Sequence, residues 1–417
     1  MDTRIVFAYS DWHADGAPRP MGRLMAQLVR RKEVFSFEFD RTWLSLHDGR
    51  SLDPDLQLFA GPQHSPVENF GLFMDSAPDR WGRMLMRRHE AVCARKAARQ
   101  ARTLTELDYL LGVYDEARMG GIRFKTEAAG AFVSDDRAMA APPWAKIREL
   151  EAAARHLDAD EGTDVENEQW LAMLMAPGSS LGGARPKANV LDPSGHPWIA
   201  KFPGKSDDVD VGAWEMVVHE LAGNCGIELP EARMEKLSAA GTTFMVKRFD
   251  RDRRRRIHFA SAMTLLGRKD GDDGQAGVSY LHLAELLQRH GAQPAKDLRE
   301  LWRRLVFSVA VKNTDDHLRN HGFLLAPDGW RLSPAYDLNP NPEGTGLSLN
   351  ISESDNSLDF GLARSVAAHF RLSAAAAEEI ISQIVAQVRD WRTIAKKHGI
   401  GKRSQEEMAP AFTENGS

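Results

Sequence analysis

The stretch NTDDHLRNHGFLLAPDGWRLSPAYD, residues 313–337, decides how the rest of the chain is read. Its polar head carries Asp315 and, five residues on, Asn320. The apolar run Phe323-Leu324-Leu325 meets the turn residues Pro327-Asp328-Gly329, and Trp330-Arg331-Leu332 returns, which predicts a β-hairpin. Asp337 follows the return strand. A tight hairpin brings its ends together, so the order of residues predicts that Asp315, Asn320 and Asp337 face one small volume. Two hard oxygen donors beside a proton acceptor suit one or two Mg²⁺ ions held by few protein ligands plus phosphate oxygens. Asp and Asn are also common in loops because they satisfy nearby backbone groups. The remainder of the chain has to separate a site from an ordinary loop.

A chain of 417 residues is long enough for roughly two or three domains with a sizeable core. With 42% hydrophobic and 27% charged residues it reads as globular, and a net charge of −5 gives no overall mark of a nucleic-acid binder. Cys93 and Cys225, the only cysteines, lie far apart, which argues against a disulfide framework or a zinc site and fits a reducing compartment. The start, MDTRIVFAYSDW, has charges at Asp2 and Arg4 and only a short apolar run, unlike a signal peptide. No run approaches the ~20 apolar residues of a membrane span. The expectation is a cytoplasmic protein without membrane contact.

Strands are predicted over 4–8, 22–27 and 34–39, the last alternating Phe35, Phe37 and Phe39 against Ser36 and Glu38. A helix is predicted over 69–100, its later part crowded with Arg and Lys that read as a solvated face or as a contact for an acidic partner or DNA. A short helix over 104–111 and a strand over 121–125 follow. The domains expected are an N-terminal one over 1–126, a linker over 127–143, a nucleotide-binding part over 144–250, a helical catalytic lobe over 251–400 and a flexible tail over 401–417.

Within this frame PGSSLGGARPKA, residues 177–188, leaves the backbone free to approach a phosphate, although it is neither a Walker A loop nor G-x-G-x-x-G; an ordinary turn is the competing reading. Two strands follow, the second (Trp198-Ile199-Ala200-Lys201-Phe202) carrying Lys201 among apolar neighbours. A helix over 213–224 has Glu215 in its first turn, where the dipole favours an acid. A strand lysine followed by a helix glutamate is how kinases hold the α- and β-phosphates; a solvent-facing Lys and a helix-start Glu are the plainer alternative. TFMVKRF, residues 243–249, reads as a strand leading to Asp250 and a basic run over 253–256, taken as a solvated loop or a phosphate contact. Leu298, Leu301, Trp302, Leu305, Val306 and Val309 recur at helical spacing and mark a core helix that delivers the Asp315 loop.

Five motifs in order make the chain resemble the HipA-like serine/threonine kinases, the toxin half of bacterial toxin–antitoxin pairs. They are Ser180-Leu181-Gly182-Gly183-Ala184-Arg185-Pro186-Lys187, Ile199-Ala200-Lys201-Phe202-Pro203, Arg248-Phe249-Asp250-Arg251, Thr314-Asp315-Asp316-His317-Leu318-Arg319-Asn320 and Tyr336-Asp337. The resemblance covers most of the chain. It implies an α+β, two-lobed protein-kinase-like fold with a β-rich N-terminal part, an all-helical C-terminal lobe, and ATP and Mg²⁺ as cofactors. Asp315 would be the catalytic base, Asn320 and Asp337 the Mg²⁺ ligands, and Lys201 a phosphate contact supported by Glu215. Residues 180–187, with Ser180, Leu181, Gly182, Gly183, Ala184 and Lys187, would form the phosphate loop. Lys247 and Phe249 would border adenine, Asp250 would lie near the ribose, and His317 would support the loop. Ser180, or its neighbour Ser179, matches the serine that family members autophosphorylate. Asp316 stands where a glycine often occurs. The partners implied are a Ser/Thr protein substrate and a small helix-turn-helix antitoxin through which DNA is mainly reached. A small-molecule kinase of the same fold, or a nucleotide-binding transcriptional co-regulator with little turnover, are the alternatives.

Overall fold

Alternating apolar side chains near the start of the chain build an antiparallel sheet. In a computed structural model, which describes residues 3–30, 32–46, 49–134, 141–159, 164–175, 183–253 and 255–412, β1 (Thr3–Ser10), β2 (Arg19–Val29), β3 (Lys32–Phe39), β4 (Gln63–His64) and β5 (Ile122–Lys125) pair in the order β4-β3-β2-β1-β5. Phe35, Phe37 and Phe39 are buried while Ser36 and Glu38 are half exposed, the period-two signature of a strand with one face in the core. Phe73 packs between Phe37 and Phe124, at centroid distances of 5.2 and 5.9 Å.

The helix expected over 69–100 forms as two pieces, Gly71–Met74 and Arg80–Lys96. Pro78 separates them, because its ring disfavours helical backbone at the residue before it, and Asp79 caps the second by accepting from Gly82 N at 2.8 Å. The basic end of this helix is a paired surface: Arg99 meets Glu90 at 2.6 Å and Lys96 meets Glu168 at 2.7 Å. The proposed linker begins bound to the sheet, with Val133 N donating to Phe124 O at 2.8 Å; residues 135–140 lie outside the described ones.

Packing divides the chain into two compact units, Met1–Ser206 with Lys247–Ala260, and Asp207–Val246 with Ser261–Ser417. In the first, β6 (Lys187–Leu191) and β7 (Pro197–Lys201) form a hairpin across the turn at Asp192, and β10 (Arg251–Asp252) and β11 (Arg255–Arg256) form a short ribbon. In the second, β8 (Ala232–Ser238) pairs with β9 (Gly241–Lys247). After β12 (Phe259–Ser261), the second unit is mostly helical, with one hairpin, β13 (Gly322–Ala326) and β14 (Gly329–Leu332), where the sequence pattern predicts it. Its centre is the helix Pro294–Ala310, on which Leu298, Leu301, Trp302, Leu305 and Val306 are all fully buried.

The flexible tail expected over 401–417 is a correction. Residues 402–412 fold back as the helix Lys402–Met408 and a further turn, and Phe412 stacks on Trp391 with centroids 4.4 Å apart. Trp214 Nε1 donates to Ser404 Oγ at 3.2 Å. Met408, Ala411 and Phe412 are the apolar residues that a polar-looking sequence concealed, and aromatic burial holds the segment down. Residues 413–417 lie outside the described ones. Among the described residues no helix is long and apolar enough to cross a membrane.

Candidate active site

The core helix Pro294–Ala310 supplies a rigid mount for the loop that follows it. Its buried Asp297 accepts from Arg331 Nε at 2.8 Å and Nη2 at 3.1 Å, and from Leu332 N at 3.2 Å, so the return strand β14 is clamped to the helix start. Gly329 takes φ 144° in the hairpin turn, and a Cβ there would stand 2.5 Å from His290 O, a space that only glycine leaves open. At the hairpin base Ser333 N donates to Gly322 O at 2.9 Å, and Tyr336 Oη donates to Arg319 O at 2.7 Å.

These contacts bring the two halves of the sequence motif together. Asn341 N donates to Lys312 O at 3.1 Å, Asn339 N donates to Asn313 Oδ1 at 3.1 Å, and Asn341 Nδ2 donates to Thr314 Oγ1 at 2.7 Å. The stretch holding Asp315 and the stretch holding Asp337 therefore run side by side. Asn320 joins from within its own loop, its Nδ2 donating to Asp315 O at 2.8 Å, which leaves its Oδ1 as an acceptor. Asp315 is exposed, while Asn320 and Asp337 are half exposed. Asp337 adopts φ 58°, a left-handed backbone that Asp tolerates better than most residues other than glycine.

Asp316, the neighbouring carboxylate, is buried: its oxygens lie 2.9 Å from His321 Nε2 and 3.5 Å from Ser308 Oγ. The exposed acid of the pair is Asp315. His317 caps the turn Leu318–Asn320, with its carbonyl accepting from Asn320 N at 2.8 Å. Asn339, Asn341 and Ser308 escaped the reading of the sequence, and Asn313 and Thr314 were read only as part of the loop, without a role of their own. The repeated Asn-Pro pairs at 339–342 were the available signal, since such pairs favour turn starts.

In the first unit, Lys187 and Lys201 are cross-strand partners on β6 and β7. Lys187 is buried, with Nζ 2.8 Å from Asp79 Oδ2 and 2.9 Å from Gly183 O. Its ammonium is thus engaged in anchoring the end of the glycine-rich loop to the start of the helix Arg80–Lys96, rather than standing open to a ligand. Lys201, at the end of β7, is half buried; Gly183 and Ala184 are exposed. Ser179, Ser180, Leu181 and Gly182 lie outside the described residues. Glu215 is buried in the first half of the helix Val211–Asn224, whose cap is Asp210.

The expectation for Asp250 needs correcting. Its carboxylate is fully buried and already taken up: Oδ1 accepts from Arg248 Nε at 2.9 Å, and Oδ2 from Arg248 Nη2 at 2.7 Å, Arg251 Nη1 at 2.6 Å and Gly120 N at 2.8 Å. Arg248 also reaches Ala117 O at 2.6 Å and Asn189 Oδ1 at 3.2 Å. Burial opposes ionisation of Asp250, but the Arg248 and Arg251 guanidiniums outweigh it and hold the carboxyl down at about 2. Arg248-Phe249-Asp250-Arg251 is therefore an internal clamp on residues 117–120, with no oxygen left for a ribose. The basic run after it is only partly a solvated loop, because Arg256 is buried against Asp115 at 2.9 Å. Lys247 and Phe249 are half buried, and the Phe249 ring lies 6.1 Å from that of Phe259.

Residues 179–392, just over half of the chain, match the family model of the HipA-like C-terminal domain. The chain belongs to the HipA-like family. HipA of Shewanella oneidensis, solved with HipB and operator DNA, superposes on it with a TM-score of 0.65 over 96% of this chain and 94% of that one, at 16% identity. That likeness is one of fold, the α+β kinase-like fold of HipA. Two curated relatives are "Putative kinase Y4mE" of Sinorhizobium fredii, 34% identical over 152 residues (34% of each chain), and a "Putative kinase" of Haemophilus influenzae, 27% identical over 190 residues (40% of this chain and 54% of that one). The HipA-like chain spans between a third and about half the length of these relatives.

Proposed function

We propose that this HipA-like protein is an ATP- and Mg²⁺-dependent kinase that transfers the γ-phosphoryl group to Ser or Thr hydroxyls, itself included. The observation that carries the reading is the stitching of the Asp315 loop to the Asp337 segment through Asn313, Thr314, Asn339 and Asn341. The names of the two kinase relatives support the reaction class.

Asp315, exposed on a rigid loop, orients the acceptor hydroxyl and takes its proton. The donor types suit Mg²⁺: one carboxylate, Asp337, with one amide oxygen, Asn320 Oδ1, matches a cation that takes few protein ligands and shares the rest with phosphate oxygens. Mg²⁺ bound there would neutralise phosphate charge. Lys201 contacts the phosphates, and Lys247 and Phe249 border the adenine, as the family resemblance implies. Such transfer depends on positioning and charge neutralisation more than on covalent chemistry. The loop serine, Ser180 or Ser179, is the self-modified residue.

A place in a toxin–antitoxin pair is part of the proposal, and the likeness to HipA, which is solved with HipB and operator DNA, supports it. A small DNA-binding antitoxin is the partner expected here, supplying most of the DNA contact. Intact-mass analysis with Mg-ATP tests the reading. The wild-type protein should gain a phosphate-sized mass mapping to Ser179 or Ser180, and Asp315→Ala and Asp337→Ala should not. Failure of the wild-type protein to bind ATP would overturn it.

A further inference from the structure

Asp316 takes no part in the chemistry just described, yet it is buried one residue from the proposed base. Burying a carboxylate is a poor way to gain stability, since an apolar side chain of similar volume often does as well. Its contacts indicate what it does instead. Oδ1 lies 2.9 Å from His321 Nε2, and Oδ2 accepts from Ser308 Oγ at 3.5 Å on the core helix. Ser308 Oγ accepts from Asn313 Nδ2 at 3.3 Å, and Asn313 Oδ1 accepts from Asn339 N at 3.1 Å. His321, Asp316, Ser308 and Asn313 are all nearly inaccessible to solvent.

The result is a continuous polar chain under the site. It starts at the residue after Asn320, passes through the core helix, and ends two residues beyond Asp337. His321 is fixed in turn, its carbonyl accepting from Ala262 N at 2.8 Å and its ring meeting the Tyr280 ring edge-on at 5.3 Å. We propose that Asp316 is a positioning residue, a buried strut that sets the Asp315–Asn320 loop at its working distance from Asp337. The Asp316–Ser308–Asn313 hydrogen bonds favour one geometry where an apolar core tolerates several, while His321 Nε2 joins them by proximity to the carboxylate and makes no hydrogen bond.

The activity readout rests on the kinase reading, whereas the structural one does not. In the full-length protein, Asp316→Ala should lower the rate of Mg-ATP phosphoryl transfer and raise the half-saturating Mg²⁺ concentration, each by about 10–100-fold, the range for losing a group that orients a metal ligand. Asp316→Asn, which keeps the shape and one acceptor, should recover most of both. Hydrogen exchange should quicken in Asp316→Ala over both 313–320 and 336–341, with the helix Pro294–Ala310 unchanged. If the wild type turns over no ATP but both segments loosen in the variant, the kinase reading falls and the strut stands. Unchanged Mg²⁺ dependence in a variant of an active protein, or loosening confined to the residues beside Asp316, overturns the strut. Should Asp316→Ala fail to fold, Ser308→Ala removes the next link by one hydroxyl and should loosen the same two segments; no change at 336–341 would overturn the proposal as well.

Discussion

Asn320 Nδ2 donates to the Asp315 carbonyl at 2.8 Å, so one amide both closes the loop and leaves its oxygen as an acceptor beside it. The two roles separate by mutation. Asn320→Ala loses both and should lower phosphoryl transfer by about 10–100-fold or more. Asn320→Asp keeps an acceptor oxygen but cannot donate to the carbonyl, so Mg²⁺ affinity should survive better than the rate. Single-turnover transfer measured across a Mg²⁺ series distinguishes them; equal losses in both variants would contradict the division of roles.

The Asp297–Arg331 clamp carries the hairpin that leads to Asp337. Asp297→Ala leaves Arg331 and Leu332 N without their carboxylate and should cost about 3 kcal/mol, the lower end for breaking a buried pair. Urea denaturation followed by tryptophan fluorescence gives the cost. Phosphoryl transfer by the folded fraction should also fall, because the hairpin base moves.

Asp250 sits between Arg248 and Arg251 with its carboxyl held at about 2. A carboxyl depressed below its ordinary range adds stability that is present above the ordinary value and lost as the pH falls through about 2. Asp250→Ala leaves two buried guanidiniums uncompensated and should destabilise the first unit by about 3–5 kcal/mol at neutral pH. Thermal unfolding near pH 7 and near pH 3 should show the difference narrowing in acid.

Asp53 behaves in the opposite sense. Burial pushes its carboxyl up to about 6, against the hydrogen bonds it accepts from Leu72 N and Asp55 N. Its contribution is fully present below the ordinary carboxylate value and is lost as the pH rises through about 6, which amounts to about 3 kcal/mol. Asp53→Asn should therefore flatten the stability profile between pH 4 and about 7. It keeps only one of the two acceptors, so its gain at pH 8 should stay below about 3 kcal/mol. A steeper profile in the variant would rule out Asp53 as the source.

Gly344 approaches Thr314 so closely that an added Cβ would run into the threonine side chain. Gly344→Ala should push Thr314 off Asn341 Nδ2 and slow transfer by about 10-fold or more, as displacing a positioning contact does. Little change in the melting temperature should accompany the loss.

Much of the architecture was legible in the order of residues. Phe35, Phe37 and Phe39 announced a strand, the Leu298–Val309 spacing a core helix, and Pro327-Asp328-Gly329 a hairpin turn, because each signal is local and its period is that of the element itself. The hairpin also made it predictable that the stretch holding Asp315 and Asn320 would lie beside the stretch holding Asp337, since chain closure over so short a span leaves little freedom.

What the sequence by itself determined, then, was the set of elements and which groups one hairpin joins. Only the tertiary structure decided what each charge is for. Asp315 and Asp316 are identical neighbours in sequence, and packing against Ser308 and His321 alone makes one of them internal. Asp250 and Lys187 lie in motifs that read as ligand contacts, yet Arg248, Arg251 and the distant Asp79 claim them. The docked end of the chain follows the same rule, for Phe412 is ordered by Trp391 and not by its own neighbours. A carboxylate or an ammonium takes its role from the opposite charge and the burial around it, and those arrive from parts of the chain that no local pattern connects.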